Sequence, residues 1–158
     1  MEIRLKTACT EDAPRLNEMQ KRTFLPLSQK YNDVEGSPAF ETVDRTLERI
    51  TSPGCTCHIL LADECYAGML CVRRIGNGMY KISPVFVLPE FQNRGIAQKA
   101  FSLLDSLYPD AELWRLSTIR EEARNCHLYE KLGYVKTGLE RKINDQMTII
   151  GYERRVLK

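Results

Sequence analysis

The chain has 158 residues and a formal net charge of +2. That length suits one domain over 1–158 that buries its own core, and the near balance of charge gives no support to nucleic acid or a membrane surface as the main partner. Arg141, Lys142, Arg154, Arg155 and Lys158 make the C-terminal region locally basic and read as solvated strand and turn positions. Cys9, Cys55, Cys57, Cys65, Cys71 and Cys126 show no CxxC spacing, and only two histidines accompany them, which argues against structural zinc. With no signal peptide or long apolar span, the expected setting is a reducing cytoplasm in which these thiols serve as small core residues; Cys55 and Cys57 read as one buried side of a strand.

In chain order, Ile3 to Lys6 opens as a strand, and Thr10 is expected to cap a helix beginning at Glu11 and Asp12, with Leu16, Met19 and Phe24 on its inner stripe. The stretch 25–36 reads as irregular. Ser37 and Pro38 then form a cap and first-turn pair for a second helix to about Ile50, closed by Ser52, Pro53 and Gly54. Strands over 57–62, 66–74 and 79–87 follow, joined by Asp63 and Glu64 and by Gly76, Asn77 and Gly78, so they form antiparallel hairpins. Pro84 cannot donate a ladder hydrogen bond and predicts a bulge in the third of them. Apolar residues at helical spacing mark a helix over 95–107; a strand over 113–118, a helix over 122–132 stopped by Gly133, and two final strands complete a mixed sheet with helices packed on it.

The tract from Val85 to Phe101 carries the chemistry. It runs from a buried strand through Gln92, Asn93, Arg94, Gly95, Ile96 and Ala97 into an amphipathic helix. N–H groups at a helix start lack intrahelical acceptors and lie at the positive end of its dipole, so the loop is a natural cradle for a pyrophosphate. A phosphate-bearing cofactor is the first expectation. Downstream, Asn125 and Tyr129 stand four apart and share a helix face. They either address one extended ligand together, or Tyr129 is an amphipathic core residue.

Gln92, Gly95 and Ala97 fill the defining positions of a motif written Gln/Arg-x-x-Gly-x-Gly/Ala, and the run from Asn125 to Tyr134, NCHLYEKLGY, resembles a second conserved segment of the same proteins, the GNAT superfamily of acetyltransferases. The resemblance covers nearly the whole chain in element order. It implies an α/β (α+β) fold with a mixed, mostly antiparallel central sheet splayed between strands 4 and 5 and flanked by helices. It implies acetyl-CoA (coenzyme A) as cosubstrate, no metal, pantetheine paired with the backbone of Val85, Phe86 and Val87, and pyrophosphate on the N–H groups of Gln92 to Ala97. Arg94 either adds charge there or is simply solvated. By the same resemblance Asn125 contacts pantetheine and Tyr129 is the general acid that protonates the departing thiolate.

The implied reaction is attack by a primary amine of a small molecule or peptide on the thioester, the oxyanion held by backbone donors in the strand gap. A lysine-like amine, with a reference pKa of about 10.4, must first lose a proton. Some relatives place a glutamate on the fourth strand for this; Lys81, Ile82 and Ser83 occupy that neighbourhood here, so the base is unassigned among Glu35, Glu64, His58 and a held water. His127 reads as an ordinary solvent-edge histidine. Phe24, Tyr31, Asp33 and Glu35 either surround a cationic acceptor or form a solvated loop with one buried anchor. The alternative function is a CoA-binding sensor or interaction module without turnover. A dinucleotide oxidoreductase is disfavoured because Gly76, Asn77 and Gly78 form a hairpin signal rather than a strand-to-helix GxGxxG. The final strands offer exposed edges for a homodimer.

Overall fold

The computed structural model describes residues 1–157. Its elements are β1 (Ile3–Thr7), α1 (Ala13–Tyr31), α2 (Val43–Thr51), β2 (Cys55–Ala62), β3 (Cys65–Gly76), β4 (Met79–Val87), α3 (Ile96–Leu107), β5 (Leu113–Ile119), α4 (Ala123–Lys131), β6 (Val135–Asn144) and β7 (Met147–Arg155). Among the described residues seven strands form one sheet in the order β1-β2-β3-β4-β5-β7-β6. Every pairing is antiparallel except β4 with β5. The expected mixed sheet is therefore present, with β4 where the sequence placed its third hairpin strand.

Alternation along the strands sorts the core into two layers. Leu70, Val72, Tyr80, Ile82, Trp114, Leu116 and Tyr152 meet α3 residues Ala100, Phe101 and Leu104 on one face. Cys57, Ile59, Met69, Cys71 and Phe86 meet Leu16 and Met19 of α1 on the other. Pro84 lies at the point where β4 changes layers. The β3 register jumps from Leu70 opposite Val85 to Val72 opposite Ile82, so Ser83 and Pro84 together oppose Cys71. That extra residue turns the strand over: Tyr80 and Ile82 face α3, whereas Phe86 beyond the bulge faces α1. Gly68 permits the close approach beside it, since a Cβ there would stand 2.2 Å from the Phe86 carbonyl oxygen.

Three expectations at the N-terminal end are corrected. Thr10 begins a short 3-10 turn, and α1 starts after Asp12, whose Oδ2 accepts the Cys9 N–H at 2.9 Å. The stretch 25–36 is not irregular throughout, because α1 continues through Pro26 to Tyr31 and ends on left-handed Asn32. Burial of Ser28 and Tyr31 outweighs the local cost of the proline. The second helix is likewise not continuous from Ser37. Ser37 caps only a 3-10 turn over Pro38–Phe40, and Thr42 accepts the Arg45 N–H to start α2 anew. Glu41, between the two, is drawn inward by Arg49 at 2.7 and 2.9 Å and by Gln20 at 2.7 Å.

The cysteines differ from the all-thiol expectation too. Cys57 and Cys71 are cross-strand partners on β2 and β3 and are joined as a disulfide. Register rather than sequence spacing brings them together, 14 residues apart. Cys55 is buried, while Cys9 and Cys65 are exposed. Of the basic C-terminal positions, Arg141, Lys142 and Arg155 are exposed, Arg154 is half-buried, and Lys158 lies outside the described residues.

Candidate active site

β4 and β5 pair only at Met79 with Leu113, Tyr80 with Trp114 and Lys81 with Arg115. Beyond that level β5 continues to Ile119 against β7, and β4 continues to Val87 against β3, so the two diverge. Among the described residues the β5-facing edge of β4 has no strand partner from Ile82 onward. Parallel strands joined by a helix normally stay in register, so the departure at the bulge opens a groove lined on one side by backbone polar groups. Val85, Phe86 and Val87 lie along this edge. The Val87 carbonyl is already taken: Gln92 Nε2 donates to it at 2.9 Å, which ties the loop back to the strand end.

After a short 3-10 turn over Pro89–Phe91, the chain passes through two left-handed residues, Asn93 and Gly95, with φ of 66° and 73°. Among the described residues the N–H groups of Asn93, Arg94, Gly95, Ile96, Ala97 and Gln98 have no backbone acceptor; the first α3 bond from this loop is Lys99 N–H to the Gly95 carbonyl at 3.1 Å. A Cβ on Gly95 would meet nothing within 4 Å. The cradle is thus open at its centre, exposed from Gln92 to Gly95, and anchored by buried Ile96. Unpaired backbone donors and open space, the two features an anion site needs, thus occur together in the loop before α3. Arg94 stays at the surface, its guanidinium carbon 5.8 Å from the centre of the Phe91 ring.

α4 packs beside β5, with its Tyr129 against α3 and β7. Asn125 is on its first turn with an exposed side chain, and Tyr129 lies one turn on with its ring buried against Phe101, Tyr134 and Tyr152 at centroid distances of 5.8, 6.0 and 6.0 Å. The Tyr129 hydroxyl makes no hydrogen bond among the described residues. Burial pushes its phenol well above the ordinary tyrosine range, so it stays protonated throughout the pH range of an assay, the state a proton donor requires.

The segment expected from the sequence to meet an acceptor holds a contact that sequence reasoning missed. Glu122, the residue before α4, accepts the Tyr31 hydroxyl and the Lys30 ammonium, the latter at 2.9 Å. Burial raises its pKa, but these donors outweigh that and hold the carboxyl below its usual value. Asn144 Nδ2 donates to the Tyr31 carbonyl at 2.7 Å, so the C-terminal end of α1, the start of α4 and the β6–β7 turn meet here. The signal was hidden because each partner is some 90 residues or more from Tyr31 along the chain. Tyr31 is therefore spent inside the protein. Phe24 packs edge-on against Phe86 at 5.9 Å, and Asp33 is buried with Oδ1 accepting the Gly36 N–H at 3.3 Å; Glu35 alone of that set is exposed. Of the base candidates, Glu64 sits at the β2–β3 turn paired with Arg4 at 2.8 Å, and His58 faces Tyr108 on the α3 layer. His127 is exposed, as expected.

Known proteins share this fold. Residues 15–134 match the family described as "Acetyltransferase (GNAT) family". An uncharacterized protein of Bacillus subtilis (strain 168), YrkN, is 27% identical over 133 residues, spanning 82% of this chain and 71% of that one. The ribosomal-protein-S18-alanine N-acetyltransferase of Escherichia coli superposes with a TM-score of 0.80 over 99% of this chain and 96% of its own, at 13% identity. The spermidine N-acetyltransferase of Vibrio cholerae, solved with CoA and spermine, gives 0.75 over 97% and 95%, at 18% identity. The family match spans most of the residues from α1 to the start of β6 and includes the cradle and α4; the chain belongs to the GNAT family of acetyltransferases.

Proposed function

We propose that the protein is an N-acetyltransferase that moves an acetyl group from acetyl-CoA to a primary amine by direct attack on the thioester. The observation that carries this reading is the divergence of β4 from β5 immediately before six free N–H groups, Asn93 to Gln98, at the start of α3. Pantetheine lies along the open edge of β4 at Val85 and Phe86 and the pyrophosphate on the Gln92–Ala97 loop, with Asn125 meeting pantetheine from α4. Acetyl-CoA supplies an activated acyl group. Tyr129 holds a proton at Oη for the thiolate as it departs, and the water-poor packing around its ring keeps that proton in place. No side-chain carboxylate stands on β4 for proton removal from the amine, and a water in the groove serves as base. The exposed edge strand β6 offers a homodimer contact, testable by light scattering.

Free CoA release with a panel of primary amines and peptides, against an enzyme-free blank, tests the reaction. Acceptor-dependent release is the expected result. Tight acetyl-CoA binding with no release for any acceptor favours the CoA-binding module instead.

A further inference from the structure

Three neighbouring strands place a basic side chain at the same level on the same sheet face. Arg73 on β3 is directly opposite Lys81 on β4, and Lys81 is directly opposite Arg115 on β5. Their neighbours Val72, Ile82, Trp114 and Leu116 all face α3, so the three basic residues project from the α1 and α2 face. Both helices pack chiefly on β2 and β3 there, leaving Lys81 and Arg115 exposed and Arg73 half-exposed.

Like charges on adjacent strands repel at side-chain separations of about 5 Å. The structure relieves this little. Arg73 and Lys81 have no carboxylate within ion-pairing distance among the described residues, and Arg115 has Glu153, at 3.8 Å. From α2, Arg49 is spent on Glu41 and Arg45 on Glu48. The strip also marks the last level at which β4 and β5 are paired, the floor of the groove. Above it on the same face come Ser83 and Ser117, both exposed and small, which leave a path toward the open edge of β4. At about 3.3 Å per residue, Lys81 lies about 7 Å below Ser83 and about 13 Å below Val85.

We infer that Arg73, Lys81 and Arg115 bind an anionic group of the acceptor, so that the amine acetylated belongs to a molecule carrying a carboxylate or phosphate about 7–13 Å away. The basic strip orients the acceptor with its anion down and its amine up toward the thioester. It also disfavours polyamines, whose second ammonium would meet three positive charges. This inference rests on the acetyltransferase reading and names its substrate class.

The test compares hexylamine, hexamethylenediamine, aminohexanoate and aminohexyl phosphate as acceptors at fixed acetyl-CoA. The two anionic amines are expected to show KM values at least about tenfold below the diamine, a gap that narrows at high salt. Lys81→Ala and Arg115→Ala raise KM for the anionic amines with kcat within about twofold, and Lys81→Glu reverses the order in favour of the diamine. Equal or better use of the diamine by the wild type, or unchanged KM in all three variants, overturns the inference. Calorimetric titration of aminohexyl phosphate into the CoA-loaded protein separates the two readings. Binding that Lys81→Glu abolishes, without turnover of any amine, supports the strip and refutes the acetyltransferase reading; absence of binding refutes the strip.

Discussion

Acidification from pH 7.5 to 5 should unfold this protein more readily through one residue, His58. The imidazole is 5% exposed on β2, with Nε2 2.8 Å from the Tyr108 hydroxyl oxygen and the rings edge-on at 5.8 Å. Burial lowers its pKa from 6.5 to about 4, so the folded chain holds it neutral where the unfolded chain protonates it. The unfolded state then binds more protons between those values, and stability rises with pH across that window. The contribution is fully present above about 6.5 and is lost as pH falls toward about 4. At about 1.4 kcal/mol per pH unit the whole difference comes to about 3 kcal/mol, of which about 2 kcal/mol is gone by pH 5. Urea unfolding of wild type and His58→Leu in half-unit steps reads it directly. Leucine keeps the apolar volume at position 58 and removes the titrating group. The variant should lose about 2 kcal/mol less than wild type between pH 7.5 and 5. Parallel pH profiles for the two proteins would refute the reasoning.

Glu41→Ala leaves Arg49, with its side chain 7% exposed, without its carboxylate, and should cost about 3–5 kcal/mol in chemical unfolding at neutral pH. Burial raises the Glu41 pKa, but Arg49 and Gln20 outweigh it and lower the net value, so the wild-type advantage is present above about 4.5 and fades as pH falls below it. Tyr129→Phe removes a hydroxyl with no protein partner, so unfolding should shift by less than about 1 kcal/mol while kcat falls by about a hundredfold or more and acetyl-CoA affinity is retained. Wild-type turnover in that variant returns Tyr129 to a packing role.

What the sequence disclosed and concealed follows from the range of each interaction. β4 and the cradle were legible because their signals are local: Pro84 announces a bulge within its own strand, and Gly95 allows a left-handed step before a helix. The C-terminal half of α1 was not, because Pro26 argues locally for a break and only the tertiary burial of Ser28 and Tyr31 overrides it. The restart of the second helix at Thr42 was equally hidden, since it depends on Glu41 meeting Arg49 and Gln20. Cross-strand register concealed the rest. Cys57 meets Cys71, Arg73 meets Lys81 and Lys81 meets Arg115 because the register of neighbouring strands, not spacing along the chain, sets which residues stand opposite each other. The proposed acceptor strip is built from strand register and the contacts of Tyr31 from distant segments, whereas the loop before α3 is one continuous stretch of chain.

The central claim is that the loop before α3 holds the diphosphate of acetyl-CoA, and paired calorimetric titrations of Gly95→Asp and Gly138→Asp test it most directly. Both glycines have positive φ, 73° and 91°, and at both a Cβ would meet nothing within 4 Å, so the two variants carry a comparable backbone penalty. Only Gly95 lies in the cradle. The account predicts that Gly95→Asp abolishes acetyl-CoA binding, by placing a carboxylate where the anion sits, while Gly138→Asp binds like wild type. Undiminished affinity in Gly95→Asp, or equal loss in both, would contradict it.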